Sequence, residues 1–198
     1  MESSGPPEQG SGGREGNTEM KIAVLGYGVV GSGVVEVLHK NRTLIEKKAG
    51  CPMEVAYILD RKELTDPLST GKQVRDFQTI LNDREVRVVV EAMGGLDPAY
   101  PYVKSALLAG KNVVTSNKEL VAAKGAQLLG IAREKNVNFL FEASVGGGIP
   151  IIHPLHQCLG ANEISEIAGI LNGTTNFILT KMIREGMGFD QALQIAQQ

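Results

Sequence analysis

The stretch KIAVLGYGVVGSGVVEVLHK, residues 21–40, decides the fold. A continuous apolar run, residues 22–25, passes without a spacer into Gly26-Tyr27-Gly28-Val29-Val30-Gly31, and a helical pattern follows. The apolar run predicts a strand buried on both faces. Over residues 29–48, Val30, Val34, Val37 and Leu38 fall on one side of a helix. In a G-x-G-x-x-G pattern the first glycine permits a tight turn, the second lets backbone approach a pyrophosphate, and the third lets helix and strand pack closely. The helix amino terminus then offers free N–H groups and a positive dipole end to phosphate. Alone the pattern is weak, and a plain turn would explain it; a strand directly before and a helix directly after make a dinucleotide loop the better reading.

Outward from this unit, strands and helices keep alternating. MEVAYILD predicts a second strand, and a polar loop over residues 61–72 leads to a short helix near DFQTILND. VRVVVEAM predicts a third strand. PAYPYVKSALLAG predicts a helix that Gly110 closes. Strand NVVTS, helix NKELVAAKGAQLLGIAREKN and strand VNFLFEA complete the series. Near-continuous apolar strands alternating with helices predict an α/β fold: a doubly wound parallel sheet covered on both faces, of the Rossmann NAD(P)-binding type. Its limits fall near residues 21–148. Residues 1–20, rich in Gly, Ser, Pro and Glu, read as a flexible extension. Past Gly146–Gly148 the pattern changes. EISEIAGIL is expected as a strand, followed by helices over TTNFILTKMIREG and FDQALQIAQQ, the start of an α+β substrate or dimerisation domain over residues 149–198.

Composition narrows the partners. A formal net charge of −2 carries no basic footprint for nucleic acid. The longest apolar run, AVLGYGVVGSGVV, is glycine-interrupted and shorter than the ~18 residues of a membrane span. Cys51 and Cys158 fit neither a disulfide framework nor zinc spacing, so a reducing cytoplasm is the expected compartment. His153 and His156 could share a helical face but form no metal motif.

Three further places carry chemistry. The second strand ends LDRK, where an acidic residue would accept from a ribose 2′-OH and favour NAD, while a basic one would accommodate the 2′-phosphate of NADP; Asp60 and Arg61 point to opposite answers. In EAMGG, the pair Gly94–Gly95 allows close backbone approach, or is an ordinary turn. In VVTSNKEL, residues 113–120, Lys118 follows the end of an apolar strand, where open α/β sheets hold their ligands; a solvated surface charge is the plainer alternative.

Taken together, GYGVVGSGVV, VTSNKEL, FEASVGGGIPII and GILNGTTNFIL resemble homoserine dehydrogenase, in order and over the chain from residue 21 onward. The resemblance implies an NAD(P)-dependent oxidoreductase that interconverts L-homoserine and L-aspartate 4-semialdehyde in the biosynthesis of threonine and methionine, as a homodimer when complete. It implies that Gly26, Tyr27, Gly28, Val29, Val30 and Gly31 form the nucleotide loop, and that Met93, Gly94, Thr115 and Ser116 line the cofactor, NADP or NAD. Lys118 matches the family's active-site lysine beside the nicotinamide. Glu142, Val145, Gly147 and Ile149 resemble a monovalent cation site for sodium, which hard oxygen donors suit. Asn172, Gly173, Thr174, Thr175 and Asn176 are assigned to homoserine contact, at a helix start that also suits a carboxylate; Thr174 or Thr175 as a simple N-cap is the alternative.

The family pattern continues with an acidic, glycine-containing segment and a second lysine of the substrate site. Neither stands in these 198 residues, so a truncated substrate domain is expected. Two other functions compete: a non-catalytic dinucleotide-binding fragment, and another semialdehyde-handling dehydrogenase. The latter needs a cysteine nucleophile, and Cys158 in HPLHQCLGA reads instead as a buried structural thiol.

Overall fold

A computed structural model of the chain describes residues 19–170 and 172–197. The extension expected over residues 1–20 lies almost wholly outside the described residues. The chain divides into two compact units between Ser144 and Val145.

The first unit is built on a six-stranded sheet of order β3-β2-β1-β4-β5-β6, with every pairing parallel. The strands are β1 Met20–Leu25, β2 Met53–Leu59, β3 Gln73–Val74, β4 Val86–Glu91, β5 Asn112–Thr115 and β6 Phe139–Leu140. The chain runs outward from β1 to β2 and β3 on one side, then crosses to β4, β5 and β6 on the other. The strand order therefore reverses between β1 and β4, where doubly wound sheets open a crevice at the carboxyl ends of their strands. Ala23, Val24 and Leu25 are fully buried, as expected of a central strand covered on both faces. Helices α1 Val29–Lys40, α2 Arg42–Ala49, α3 Phe77–Asn82, α4 Ala99–Leu108 and α5 Lys118–Lys135 connect the strands. One apolar cluster gathers Leu25, Val89, Val103, Leu107, Val113 and Leu128; a second gathers Val24, Val35, Val55 and Ile58.

Several sequence expectations change here. The single helix over residues 29–48 is two, because Asn41 leaves helical geometry while capping α1 through its N–H to the Val37 carbonyl. Asparagine is a poor helix-interior residue, and α2 buries nothing that would hold a longer helix straight. The buried stripe of α1 is Gly31 and Val35 with Val34 and Leu38 beside them, whereas Val30 and Val37 are exposed. Strand β3 went unforeseen because two residues carry no periodicity. Only Phe139–Leu140 of VNFLFEA pairs, with Val113 and Val114.

The second unit contains α6 Ile152–Cys158, α7 Gly173–Glu185 and α8 Phe189–Ala196. Helix α6 was not foreseen. The strand expected over EISEIAGIL is absent: residues 163–170 form no regular element, and Leu171 lies outside the described residues. A strand needs a partner for its backbone groups, and no strand of the second unit offers one among the described residues; Ile164, Ile167 and Ile170 stand exposed.

Candidate functional site

The carboxyl ends of β1, β2, β4 and β5 converge on the crevice, and the glycine loop forms one wall. Gly26 has φ +90° and donates its N–H to the Leu59 carbonyl at 2.8 Å, tying the turn to the end of β2. A Cβ there would stand 2.9 Å from the Ala92 carbonyl oxygen. The loop after β1 and the loop after β4 thus touch with no room for a side chain. A Cβ on Gly31 would fall 1.9 Å from the Gly26 oxygen, so only glycine lets α1 start this close to β1. Gly28 is different, because a Cβ there meets nothing within 4 Å. That open space faces the start of α1, which has no side-chain cap and no acidic residue in its first turn. Its first-turn N–H groups therefore lack a capping acceptor. Val29 is 92% exposed beside them.

Asp60 joins the loop to β2. Its Oδ2 accepts the Tyr27 N–H at 2.8 Å and its Oδ1 accepts the Lys62 N–H at 2.8 Å. Each oxygen keeps lone-pair capacity for a further donor. Arg61 follows it, exposed, and Arg75 donates to the Arg61 carbonyl. Gln73 holds the same segment through the carbonyls of Asp60 and Lys62. The Tyr27 ring packs against the Val24 and Ile58 cluster. Burial, then the neighbouring Asp66 carboxylate, raises the Tyr27 pKa.

The opposite wall is the loop after β4. Gly94 and Gly95 adopt φ of +76° and +69°, a conformation that favours glycine, and Met93 packs against the main core. Beneath them lies Glu91, fully buried. Its Oε1 accepts the Met93 and Gly94 N–H groups at 2.8 and 3.3 Å, and its Oε2 accepts the Thr115 hydroxyl. The Thr115 oxygen accepts the Asn117 N–H at 2.9 Å. Asn117 caps α5 by accepting the Leu120 N–H at 3.0 Å, and donates its amide to the Gly95 carbonyl at 2.6 Å. Ser116 is half-buried, and Lys118 opens α5, exposed, on the same edge of the sheet. Glu91 and Asn117 escaped the sequence reading. A carboxylate ending a run of valines expected to be wholly buried was the available signal.

In the second unit the N-cap of α7 is Asn172, whose Oδ1 accepts the Thr175 N–H at 2.8 Å; neither Thr174 nor Thr175 caps it. Gly173, Thr174, Thr175 and Asn176 are exposed around that terminus. Glu142 closes the first unit in a short 3-10 turn, while Val145, Gly147 and Ile149 belong to the second. Among the described residues no cluster of His, Cys, Asp or Glu side chains could hold a metal ion. Cys158 is exposed, not buried, because it ends α6, a helix that buries none of its residues. No helix among the described residues is long and apolar enough to cross a membrane.

Comparison with known proteins agrees with this architecture. Residues 26–142 match the family model described as the NAD binding domain of homoserine dehydrogenase, and residues 150–198 match that of homoserine dehydrogenase itself. The chain is 39% identical to the homoserine dehydrogenase of Bacillus subtilis over 90% of its own length and 42% of that protein's. The crystal structure of a homoserine dehydrogenase from Thiobacillus denitrificans superposes with a TM-score of 0.83 at 41% identity, over 90% of this chain and 42% of the other. A hyperthermophilic archaeal homoserine dehydrogenase in complex with NADPH gives 0.76 at 29% identity, over 90% of this chain and 60% of the other. The chain thus spans about 42% of the length of the curated relatives it matches.

Proposed function

The chain belongs to the homoserine dehydrogenase family, and from that premise we propose that it binds NADP or NAD in the crevice between β1 and β4 and serves the interconversion of L-homoserine and L-aspartate 4-semialdehyde. The observation that carries the binding half is the glycine cradle. Gly26 and Gly31 are required by packing, whereas Gly28 borders open space at an uncapped helix start. Such a terminus suits a pyrophosphate. Asp60 and Arg61 would meet the adenosine ribose, Asp60 through its remaining lone pairs and Arg61 through charge. Met93, Gly94, Thr115 and Ser116 would line the other half.

A bound nicotinamide cofactor supplies the acceptor or donor of a hydride. The chain's own part is the proton: Lys118 would take the hydroxyl proton as hydride leaves the homoserine carbon and return it to the carbonyl oxygen in the reverse direction, or polarise that oxygen. In the second unit, the amino terminus of α7 with Asn172, Gly173, Thr174, Thr175 and Asn176 suits the substrate carboxylate. Glu142, Val145, Gly147 and Ile149 offer oxygen donors of the kind sodium prefers. We place the protein in the cytoplasm, as a homodimer at full family length.

A second reading is dinucleotide binding without turnover, since the glycine cradle, Asp60 and Glu91 all belong to the first unit. Titration separates the two. NADPH or NADH should bind the 198-residue chain and quench or shift its own fluorescence, and Gly28→Val, which fills the open space with a side chain, should abolish that signal. Equal affinity of both proteins would refute the crevice assignment. Binding without homoserine oxidation, measured in a chain of full family length, selects the second reading.

A further inference from the structure

We propose that Glu91 is a positioning residue for the cofactor, a single buried carboxylate that fixes the glycine loop after β4 against the end of β5. This rests on the crevice being the dinucleotide site. With the pyrophosphate at the start of α1 and the adenosine side toward Asp60, the remaining half of a dinucleotide extends over β4 and β5. The ladder ends here, with the Ala92 N–H on the Leu25 carbonyl and the Ser116 N–H on the Glu91 carbonyl. The Glu91 side chain carries the connection one step further, accepting the Met93 and Gly94 N–H groups of the loop after β4 and the hydroxyl of Thr115, the last residue of β5. Asn117 closes the ring by donating to the Gly95 carbonyl while capping the helix that begins with Lys118.

The choice of a carboxylate argues for this role over simple filling of the core. An apolar side chain would fill the volume without the cost of burying a charge, and that cost is offset only where charge-assisted bonds converge. All three groups facing Glu91 are donors, so two acceptor oxygens satisfy them together. Glutamine has nearly the same shape, but it removes the charge, and its NH2 can meet the Thr115 hydroxyl only if that hydroxyl turns to accept instead of donating. Glu91→Gln therefore keeps the packing and replaces the charge-assisted bonds by weaker neutral ones, loosening the loop after β4 from the end of β5.

The test compares probes that reach different distances along the crevice. The 198-residue chain and its Glu91→Gln variant are titrated with NADPH and with adenosine 2′,5′-bisphosphate, which carries the adenosine half alone; NADH and ADP are run alongside. The variant should lose tenfold or more in affinity for the dinucleotide and stay within about twofold for the matching fragment. Unchanged dinucleotide affinity, or an equal loss for both probes, overturns the positioning role. A parent chain that binds no dinucleotide defeats the crevice reading itself, and the proposal with it. Should Glu91→Gln not fold, Thr115→Val removes the same link from the other side, with the same selective loss expected and its absence equally decisive.

Discussion

At the scale of single residues, three glycines of one motif turn out to have three different reasons for being glycine. Gly26 combines a left-handed φ with a close carbonyl, Gly31 has an oxygen where its Cβ would be, and Gly28 has neither. Substitutions should separate them. Gly31→Ala must push α1 away from β1 and should lower stability by about 3 kcal/mol or more, since overpacking costs ~1–3 kcal/mol even where neighbours are side chains able to shift. Gly28→Ala keeps an ordinary φ of −80° and should cost under about 1 kcal/mol, the difference between glycine and alanine as N-cap. Thermal unfolding of the two variants checks this, and similar losses would mean that the loop does not have the geometry described. The two lysines near β5 show a parallel contrast. Lys111 is buried at the amino edge of the sheet, donating to the Asp83 and Val86 carbonyls, and burial pushes its pKa down. Lys118 stands exposed at the carboxyl edge, where a ligand can use it.

At the scale of elements, the amino edge of the sheet is held by side chains that join three of them. Asp83, in the turn before β4, accepts the Tyr57 hydroxyl of β2 at 3.0 Å and pairs with Lys21 of β1 at 3.6 Å. Burial pushes the Asp83 carboxyl up, but the Glu85 N–H, the Tyr57 hydroxyl and Lys21 together outweigh it, so its pKa ends below the ordinary value. A carboxyl with a lowered folded pKa contributes stability that is present above its unfolded value, about 3.9, and is lost as pH falls through the folded one. Asp83→Asn should therefore destabilise the first unit by about 1–3 kcal/mol at pH 7, through the charged hydrogen bonds it loses. The deficit should shrink below about pH 4, as urea unfolding at both pH values would register; a constant deficit would assign the effect to shape. The same scale explains what the sequence could disclose. Long apolar strands and well-capped helices were legible because periodicity is local. The break at Asn41, the two-residue β3 and helix α6 were not, since none of them carries an apolar period: Asn41 is a cap, β3 is two residues long, and α6 buries none of its residues. Likewise the glycines of the site were legible from their spacing. Glu91 was not, because its partner Thr115 lies 24 residues away and only the sheet register brings them together.

At the scale of the molecule, the proposed functions fall on different units. The glycine loop, Asp60, Glu91 and Lys118 all belong to the first, and the α7 terminus belongs to the second. Within the first unit, cofactor binding and proton transfer rest on different side chains, so they should come apart in experiment. Lys118 enters α5 through the Asn117 cap, which is tied to Gly95, so its backbone is fixed to the crevice while its side chain is exposed. Nothing in the glycine cradle depends on that side chain, so Lys118→Ala in the 198-residue chain should leave NADPH affinity within about twofold. Turnover is a different matter, and it is measured in a chain of full family length, because this one spans 42% of its curated relative. There the same substitution should lower the rate of homoserine oxidation by roughly 10²–10⁴-fold, the usual contribution of a positioned proton-transfer group. Glu91→Gln should show the converse pattern, weakening NADPH binding with the lysine intact. A full-length Lys118→Ala enzyme with near-normal rates across the pH range would make this lysine a solvated charge at a helix start and move the proton to another group.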